Sequence, residues 1–104
     1  MASGILGQTD ITSTNTDTSI YTVPASKTAS LTLSLVNRGS ASAAIRVGLC
    51  ASGTIGNAEF IEYETILPPK GVLERTGIVM QATKQLVVRT DTANISASAY
   101  GFEE

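Results

Sequence analysis

The run Leu31-Thr-Leu-Ser-Leu decides the fold, because apolar and polar side chains alternate along it with a period of two. Residues at that spacing point to opposite faces of a β-strand, so Leu31, Leu33 and Leu35 share one face. The runs Ile45-Arg-Val-Gly-Leu and Ile95-Ser-Ala-Ser-Ala repeat the pattern. Because Thr, Val, Ile and Ser dominate these runs, strands are favoured over helices.

Turn signals recur roughly every 8 to 15 residues, as is typical of a β-sandwich or jelly roll. One such signal is Asn37-Arg-Gly-Ser, which suits a tight turn with left-handed conformations. We predict an all-β protein, a single antiparallel sandwich or jelly roll of about eight short strands. The predicted strands cover residues 5–6, 19–23, 28–37, 43–51, 59–65, 72–76 with 78–81, 85–90 and 94–102.

The length of 104 residues is that of one domain, so residues 1–104 are predicted to form a single sandwich. Residues 8–19 are rich in Thr, Ser, Asn and Asp, and this composition is typical of a loop or an extended segment. We therefore expect residues 1–18 to form an extended N-terminal arm. The apolar Ile5 and Leu6 within it would add a strand either to this domain or to a neighbouring copy.

The charge balance argues against nucleic acid and membrane partners. The net charge is −2, the isoelectric point is about 5.0, and the four arginines are scattered along the chain. No apolar run approaches the roughly 20 residues of a membrane span, and the first residues do not resemble a secretory signal. The single cysteine cannot form an internal disulfide, so we expect synthesis in a reducing cytoplasm.

Several candidate reaction centres are weak. The chain has no histidine, so neither Cys50 nor a serine can form a histidine-activated nucleophile. Glu59, Glu62 and Glu64 could act as an acid pair or bind calcium, and Glu62 and Glu64 are predicted to share one outward face of a strand. The favoured interpretation is a solvated strand face, or ion pairs with Arg46, Arg75 or Arg89 across strands. Residues 53–56 lack the rest of a phosphate loop, and the glycosylation sequon at residues 94–96 is read as coincidence. We predict a non-enzymatic protein without cofactor or metal.

The order of several segments resembles a family of small β-sandwich virion proteins of tailed bacteriophages, especially marine and cyanobacterial phages. The resemblance spans about residues 18 to 104. It is carried by Ile20-Tyr-Thr-Val-Pro-Ala-Ser-Lys, Val36-Asn-Arg-Gly-Ser, Ile45-Arg-Val, Phe60-Ile-Glu-Tyr-Glu, Leu67-Pro-Pro-Lys-Gly-Val-Leu-Glu-Arg-Thr-Gly-Ile, Leu86-Val-Val-Arg and Ile95-Ser-Ala-Ser-Ala-Tyr-Gly-Phe-Glu. The resemblance implies a structural, decoration or tail-fibre-like component of the virion, with no catalytic motif to transfer.

We therefore expect a capsid decoration or cement protein that stabilises the assembled shell. The expected partners are other copies of the chain, with a trimer favoured, and a major capsid or tail protein. The candidate interface residues are Ile5, Leu6, Arg38, Tyr100 and Phe102, because aromatic and arginine side chains are enriched at interfaces. The alternative is a tail, baseplate or fibre module that attaches to the host surface or to glycans through residues 52–58 and 67–71.

Overall fold

The computed structural model describes residues 2–104, and residue 1 of the expected arm lies outside the described residues. It confirms an all-β fold of eight strands, and residues 2–104 contain no helix that could span a membrane. The strands are β1 Ala2–Ile11, β2 Thr18–Thr22, β3 Ala29–Asn37, β4 Ala43–Cys50, β5 Phe60–Leu67, β6 Val72–Met80, β7 Gln85–Thr90 and β8 Ile95–Glu103.

The strands form two four-stranded antiparallel sheets, in the orders β1-β8-β3-β6 and β2-β7-β4-β5. We call the first sheet A and the second sheet B. Successive strands alternate one by one between the sheets, except that β4 and β5 both lie in sheet B, and the first strand lies beside the last. This is the strand order of an eight-stranded jelly roll, which the alternating pattern alone left open.

The core lies between the two sheets and is built by the alternating runs. Leu33 and Leu35 from β3 point inward with Ile45 and Val47 from β4, and all four are almost completely buried. Burying each such side chain contributes about 1.5–3 kcal/mol. The opposite side chains of the same strands face outward, so the pattern that predicts the strands also fixes which surface of each sheet is exposed.

The N-terminal segment is a strand of the same chain and not an extended arm. Residues 2–11 form β1, which pairs with β8 from Ala2 opposite Glu103 to Ile11 opposite Ile95. The hydroxyl-rich loop begins only at Thr12. Of the two alternatives for Ile5 and Leu6, a strand added to this domain is confirmed. An extended arm is not observed for 2–11, and composition does not report that β8 offers a free edge for pairing.

Bulges that the sequence analysis missed occur in β1, β2, β5 and β6, and those in β6 and β5 change which side chains face outward. Residues 72–80 form one strand, β6, instead of two, because its register against β3 shifts near Gly77, which has a φ of 72°. In β5 the register also shifts, and Tyr63 and Glu64 lie together opposite Arg46 of β4. The bulge turns Tyr63 outward, where 60% of it is exposed, although alternation along β5 predicts an inward side chain.

A buried asparagine ties the loops together at one end of the sandwich. The side chain of Asn37 donates to the carbonyl oxygens of Ala41 and Leu67 at 2.8 and 3.1 Å, and it accepts a hydrogen bond from the Gly39 amide at 2.9 Å. Neither Asn37 nor Gly39 has a positive φ. The turn signal was correct, but Asn37 acts through its side-chain hydrogen bonds and not through a left-handed backbone.

Candidate interaction surface

Three of the predicted interface residues, Ile5, Tyr100 and Phe102, meet on the outer face of sheet A. We call its outward side chains the docking face. The strand register arranges them in four rows across β1, β8, β3 and β6, because residues directly opposite each other in antiparallel strands point to the same face. The rows are Ser3, Phe102, Ser30 and Val79; Ile5, Tyr100 and Thr32 beside the Gly77 bulge; Gln8, Ser98, Ser34 and Glu74; and Asp10, Ser96, Val36 and Val72.

The first two rows form an apolar end. Ile5 is 66% exposed, Phe102 56% and Val79 70%, whereas Tyr100 is more shielded at 37%. Ile5 lies directly opposite Tyr100, and Phe102 and Val79 lie in the adjacent row. Large apolar side chains gathered in one place on a sheet are more informative than the same residues scattered singly. The apolar end therefore has the composition of an interface centre, in which aromatic side chains are enriched and charge is depleted.

The last two rows form a small, hydroxyl-rich end. Ser96 and Ser98 of β8 lie beside Ser34 and Val36 of β3 at the centre of the sheet. These side chains are short, so this end of the face stands lower than the aromatic end. A serine hydroxyl both donates and accepts hydrogen bonds, and it costs less to bury against a partner than an ion does.

A groove crosses the apolar end between Phe102 and Tyr100. It has a volume of about 410 Å³, and Gly4, Gly77 and Gly101 all contribute to its lining. A side chain on Gly101 is excluded, because its Cβ would lie 2.1 Å from the carbonyl oxygen of Ser30. Phe102 also borders a second depression of about 460 Å³ towards the end of the strand. The glycines thus leave Phe102 as a ridge with space on both sides.

The electrostatics of the docking face are mild. The Tyr100 hydroxyl donates a hydrogen bond to the Glu74 carboxylate at 3.0 Å, and this bond raises the pKa of Tyr100 above its usual value. The tyrosine ring therefore reaches across β3 towards β6. Asp10, at the corner of the hydroxyl-rich end, forms an ion pair with Arg38. Glu74 is the one charged group of the four rows without an arginine partner within residues 2–104.

The structure brings together three of the five predicted interface residues. Ile5 and Tyr100 are directly opposed across β1 and β8, and Phe102 lies in the adjacent row. Leu6 does not belong to this surface, because the bulge beside it lets it pack against the core. Arg38 lies beyond the hydroxyl-rich end, where it is paired with Asp10 and stands apart from the aromatics.

Sequence reasoning missed the contribution of β6 to this surface. Val72, Glu74 and Val79 all point outward in register with β3. Leu73 packs against the core, and Ile78 and Met80 are buried. The spacing of Val72 and Glu74 predicts that they share one face, but the bulge at Gly77 interrupts the alternation before Val79. Reading two short strands there concealed the fact that Val72 and Val79 belong to one face.

Glu62 and Glu64 are held in ion pairs, which is one of the two alternatives that the favoured interpretation left open. The Arg75 guanidinium contacts the Glu62 carboxylate at 2.5 Å and links β6 to β5 across one edge of the sandwich. Arg46 binds Glu64 at 2.7 Å, which raises the pKa of Arg46, and it lies over the Tyr63 ring. Glu62 and Glu64 were predicted to share an outward face, which was wrong. The β5 bulge turns Glu62 to the inner side, opposite the buried Val47.

Glu59 organises the loop between β4 and β5. Its carboxylate accepts hydrogen bonds from the backbone amides of Gly56 at 2.8 Å and Ala51 at 3.0 Å, and these bonds lower the pKa of Glu59. Cys50 is buried beside it and forms no disulfide. Burial raises the pKa of the Cys50 thiol to about 11, so the thiolate that nucleophilic chemistry needs is scarce at neutral pH.

The remaining sequence motifs form no site. Gly53 and Gly56 belong to the loop that Glu59 holds, and Asn94 ends the turn before β8, with its carbonyl oxygen accepting a hydrogen bond from the Arg38 amide. Asn94 itself therefore precedes the strand in which the sequence placed it. Within residues 2–104, no group of three or more His, Cys, Asp or Glu side chains is arranged to hold a metal ion.

Comparison with known proteins gives no match: no family model, no curated protein and no solved structure matches the chain at a significant level. The functional proposal therefore depends on the residues and their geometry. Among the described residues, the docking face is the surface on which exposed aromatics, uncharged hydroxyls and a shaped groove occur together.

Proposed function

We propose that the chain is a non-enzymatic structural protein of a tailed-phage virion, of the capsid decoration or cement type. It stabilises the assembled shell by burying the docking face against neighbouring subunits. The observation that carries the proposal is the exposed apolar end of sheet A, which is formed by Ile5, Val79, Tyr100 and Phe102. The resemblance of residues 18–104 to phage virion proteins supplies the setting.

The mechanism is one of linked equilibria. A protein that binds the assembled shell, but not its separated subunits, shifts the equilibrium towards the shell by mass action. A rigid fold suits this role because little conformational entropy is lost on binding, and the hydrogen-bonded sheet holds Tyr100 and Phe102 in fixed positions. This mechanism requires no catalytic side chain. Glu62 is held in an ion pair with Arg75, and Cys50 is buried with a raised pKa.

The test uses phage particles from which the gene for this chain has been deleted. Purified protein is added back, and the temperature at which the particles release their DNA is measured. We expect the wild-type protein to raise that temperature. Phe102→Ser should have no such effect, because it removes the ridge of the docking face.

Tyr63→Ser is the matched control, since Tyr63 is an equally exposed aromatic residue outside the docking face. It should stabilise the particles as well as the wild type does. Particles that release DNA at the same temperature with and without the wild-type protein would contradict a cement role. If Phe102→Ser raises the DNA-release temperature as much as the wild type does, the docking face is not the surface that stabilises the shell.

The groove favours a second candidate, a tail, baseplate or fibre module that attaches to host glycans. Residues 52–58 and 67–71, proposed as glycan loops, contain no aromatic side chain. The groove between Tyr100 and Phe102 instead offers aromatic walls with the hydroxyls of Ser30 and Thr32. A glycan array screened with wild type and Phe102→Ser distinguishes the two, since only the attachment module binds sugars and loses them with Phe102.

A further inference from the structure

We propose that the subunit covering the docking face is a second copy of this chain, packed face to face about a two-fold axis perpendicular to the strands. This inference rests on the proposed function and deepens it: the neighbouring subunit that buries the docking face on the shell is then a second copy of this chain and not the major capsid protein. A cyclic trimer, expected from the sequence, would need two different contact surfaces on every copy. The docking face by itself provides a self-complementary contact.

The first argument is shape. Along β8, the large side chains of Phe102 and Tyr100 lie at one end and the short ones of Ser98 and Ser96 at the other. A two-fold axis in the plane between two such sheets, perpendicular to the strands, reverses the order of the rows. The raised end of each copy then lies over the low end of the other, so Phe102 faces Ser96 twice by symmetry.

The same operation matches the side chains of β6. Val79 of one copy, in the first row, then faces Val72 of the other copy, in the fourth row, and the reverse contact forms by symmetry, so both exposed valines of each copy are covered. An axis parallel to the strands would instead set the aromatic rows of the two copies against each other. The low serine rows would then leave a gap, which packed interfaces do not contain.

The second argument is charge. Opposed copies of a charged face meet like charges, which is unfavourable, whereas hydroxyls donate and accept and can pair with their own kind. Under the proposed axis the uncompensated Glu74 faces the row of the Gly77 bulge, and Asp10 faces Ser3. No acidic side chain of the docking face therefore lies opposite its own copy.

The third argument is area. Four strands about 4.8 Å apart and about nine residues long, at roughly 3.3 Å each, give a face of about 19 by 30 Å. This is about 570 Å² in plan, and side-chain relief increases the accessible area beyond it. A standard stable interface buries about 800 Å² on each partner. Two such faces bury about 1,140 Å² in plan, which is above the roughly 1,000 Å² that a specific interface needs but below the standard total of about 1,600 Å², so we expect a weak dimer.

The test begins with the purified protein in the absence of any phage component. Sedimentation equilibrium should show a monomer and dimer in equilibrium. Phe102→Ser and Ser98→Arg should each weaken the dimer at least tenfold, the first by removing the ridge and the second by placing a charge in the low end. The control Tyr63→Ser should leave the dissociation constant unchanged.

Cross-linking tests the axis. Ser30 in the first row and Val36 in the fourth face each other only if the rows are reversed. A mixture of Ser30→Cys and Val36→Cys should therefore be joined by a bifunctional maleimide that spans the roughly 10 Å between packed sheets, while neither variant alone should be joined. Wild-type protein, whose only thiol is the buried Cys50, is the control and should not be cross-linked.

A monomer at all concentrations, a trimer, or a dimer that tolerates Phe102→Ser and Ser98→Arg would overturn the inference. Cross-linking of Ser30→Cys with itself would overturn the axis. These failures are distinguishable from a failure of the proposed function. If the purified protein is monomeric but Phe102→Ser still abolishes stabilisation of particles, the docking face contacts the shell directly, and the decoration role stands without the dimer.

Discussion

Asn37 shows at the scale of one residue how a polar side chain stabilises an apolar core. It is 1% exposed, and its amide satisfies backbone groups of the loops after β3 and β5. A buried carbonyl oxygen left without a donor costs about 1–3 kcal/mol. Replacing Asn37 therefore removes hydrogen bonds and also leaves the carbonyl oxygens of Ala41 and Leu67 without a donor in the interior.

We expect Asn37→Ala to lower the free energy of unfolding by about 2–3 kcal/mol, measured by urea denaturation. Asn57→Ala is the control, because Asn57 is exposed in the loop between β4 and β5. It should change the stability by less than about 0.5 kcal/mol. Equal midpoints for the two variants would show that the Asn37 hydrogen bonds do not stabilise the loops.

Glu59 makes the loop between β4 and β5 sensitive to acid. Because its pKa in the folded protein is lowered from the usual 4.5, its contribution to stability is complete above that value and is lost as the pH falls below it. We expect the protection of the Gly56 and Ala51 amides from hydrogen exchange to decrease below pH 4.5. Glu59→Gln should show lower protection already at neutral pH and no further decrease of this kind in acid.

The candidate interface residues show which side-chain orientations can be predicted from the sequence. The exposure of Tyr100 and Phe102 was predictable, because they continue the outward side of the Ile95-Ser-Ala-Ser-Ala alternation. The inward turn of Leu6 was not, since it follows from a bulge that depends on pairing with β8. The sequence also could not place Ile5 opposite Tyr100, because contacts between the two ends of a chain depend on strand order.

At the scale of elements, bulges account for most differences between the predicted and observed strands. Alternation assigns inner and outer faces only while the register is continuous, and one extra residue reverses every side chain beyond it. This is why Tyr63 is exposed and why Glu62 faces inward to meet Arg75. The charged, bulged edges of β5 and β6 also resist pairing with further strands.

β1 provides an element-scale prediction. Gly7 lies so close to β2 that a Cβ there would be 2.3 Å from the carbonyl oxygen of Ile20. Gly7→Ala must therefore push β1 away from β2, and we expect a loss of more than about 2 kcal/mol with faster hydrogen exchange along β1. Gly53→Ala is the control, since its nearest neighbour would be an ordinary contact at 3.8 Å.

If Gly7→Ala unfolds at the same urea concentration as Gly53→Ala, the contact between β1 and β2 does not hold the edge closed. The first strand would then be free to exchange between copies, as the expectation of an N-terminal arm supposed. If Gly7→Ala keeps its stability and its β1 amides remain protected from hydrogen exchange, exchange of β1 between copies is excluded, because strand exchange requires β1 to open.

At the scale of the whole molecule, the sequence predicts two layers of antiparallel strands but not which strands are neighbours. Local patterns report faces, whereas the pairing of β1 with β8 joins residues nearly a chain length apart. That pairing creates the docking face, since it sets Ile5 and Ser3 of β1 beside the aromatics of β8. The fold class was therefore accessible from the sequence, and the surface only from the topology.

The measurement that tests the central claim most directly is immunogold electron microscopy of intact particles of the phage that carries this gene, using antibody raised against the chain. A decoration protein predicts gold distributed over the capsid shell, with none on particles lacking the gene. Label confined to the tail would contradict the decoration role and favour the attachment module. An absence of label from every particle would contradict a role on the virion surface.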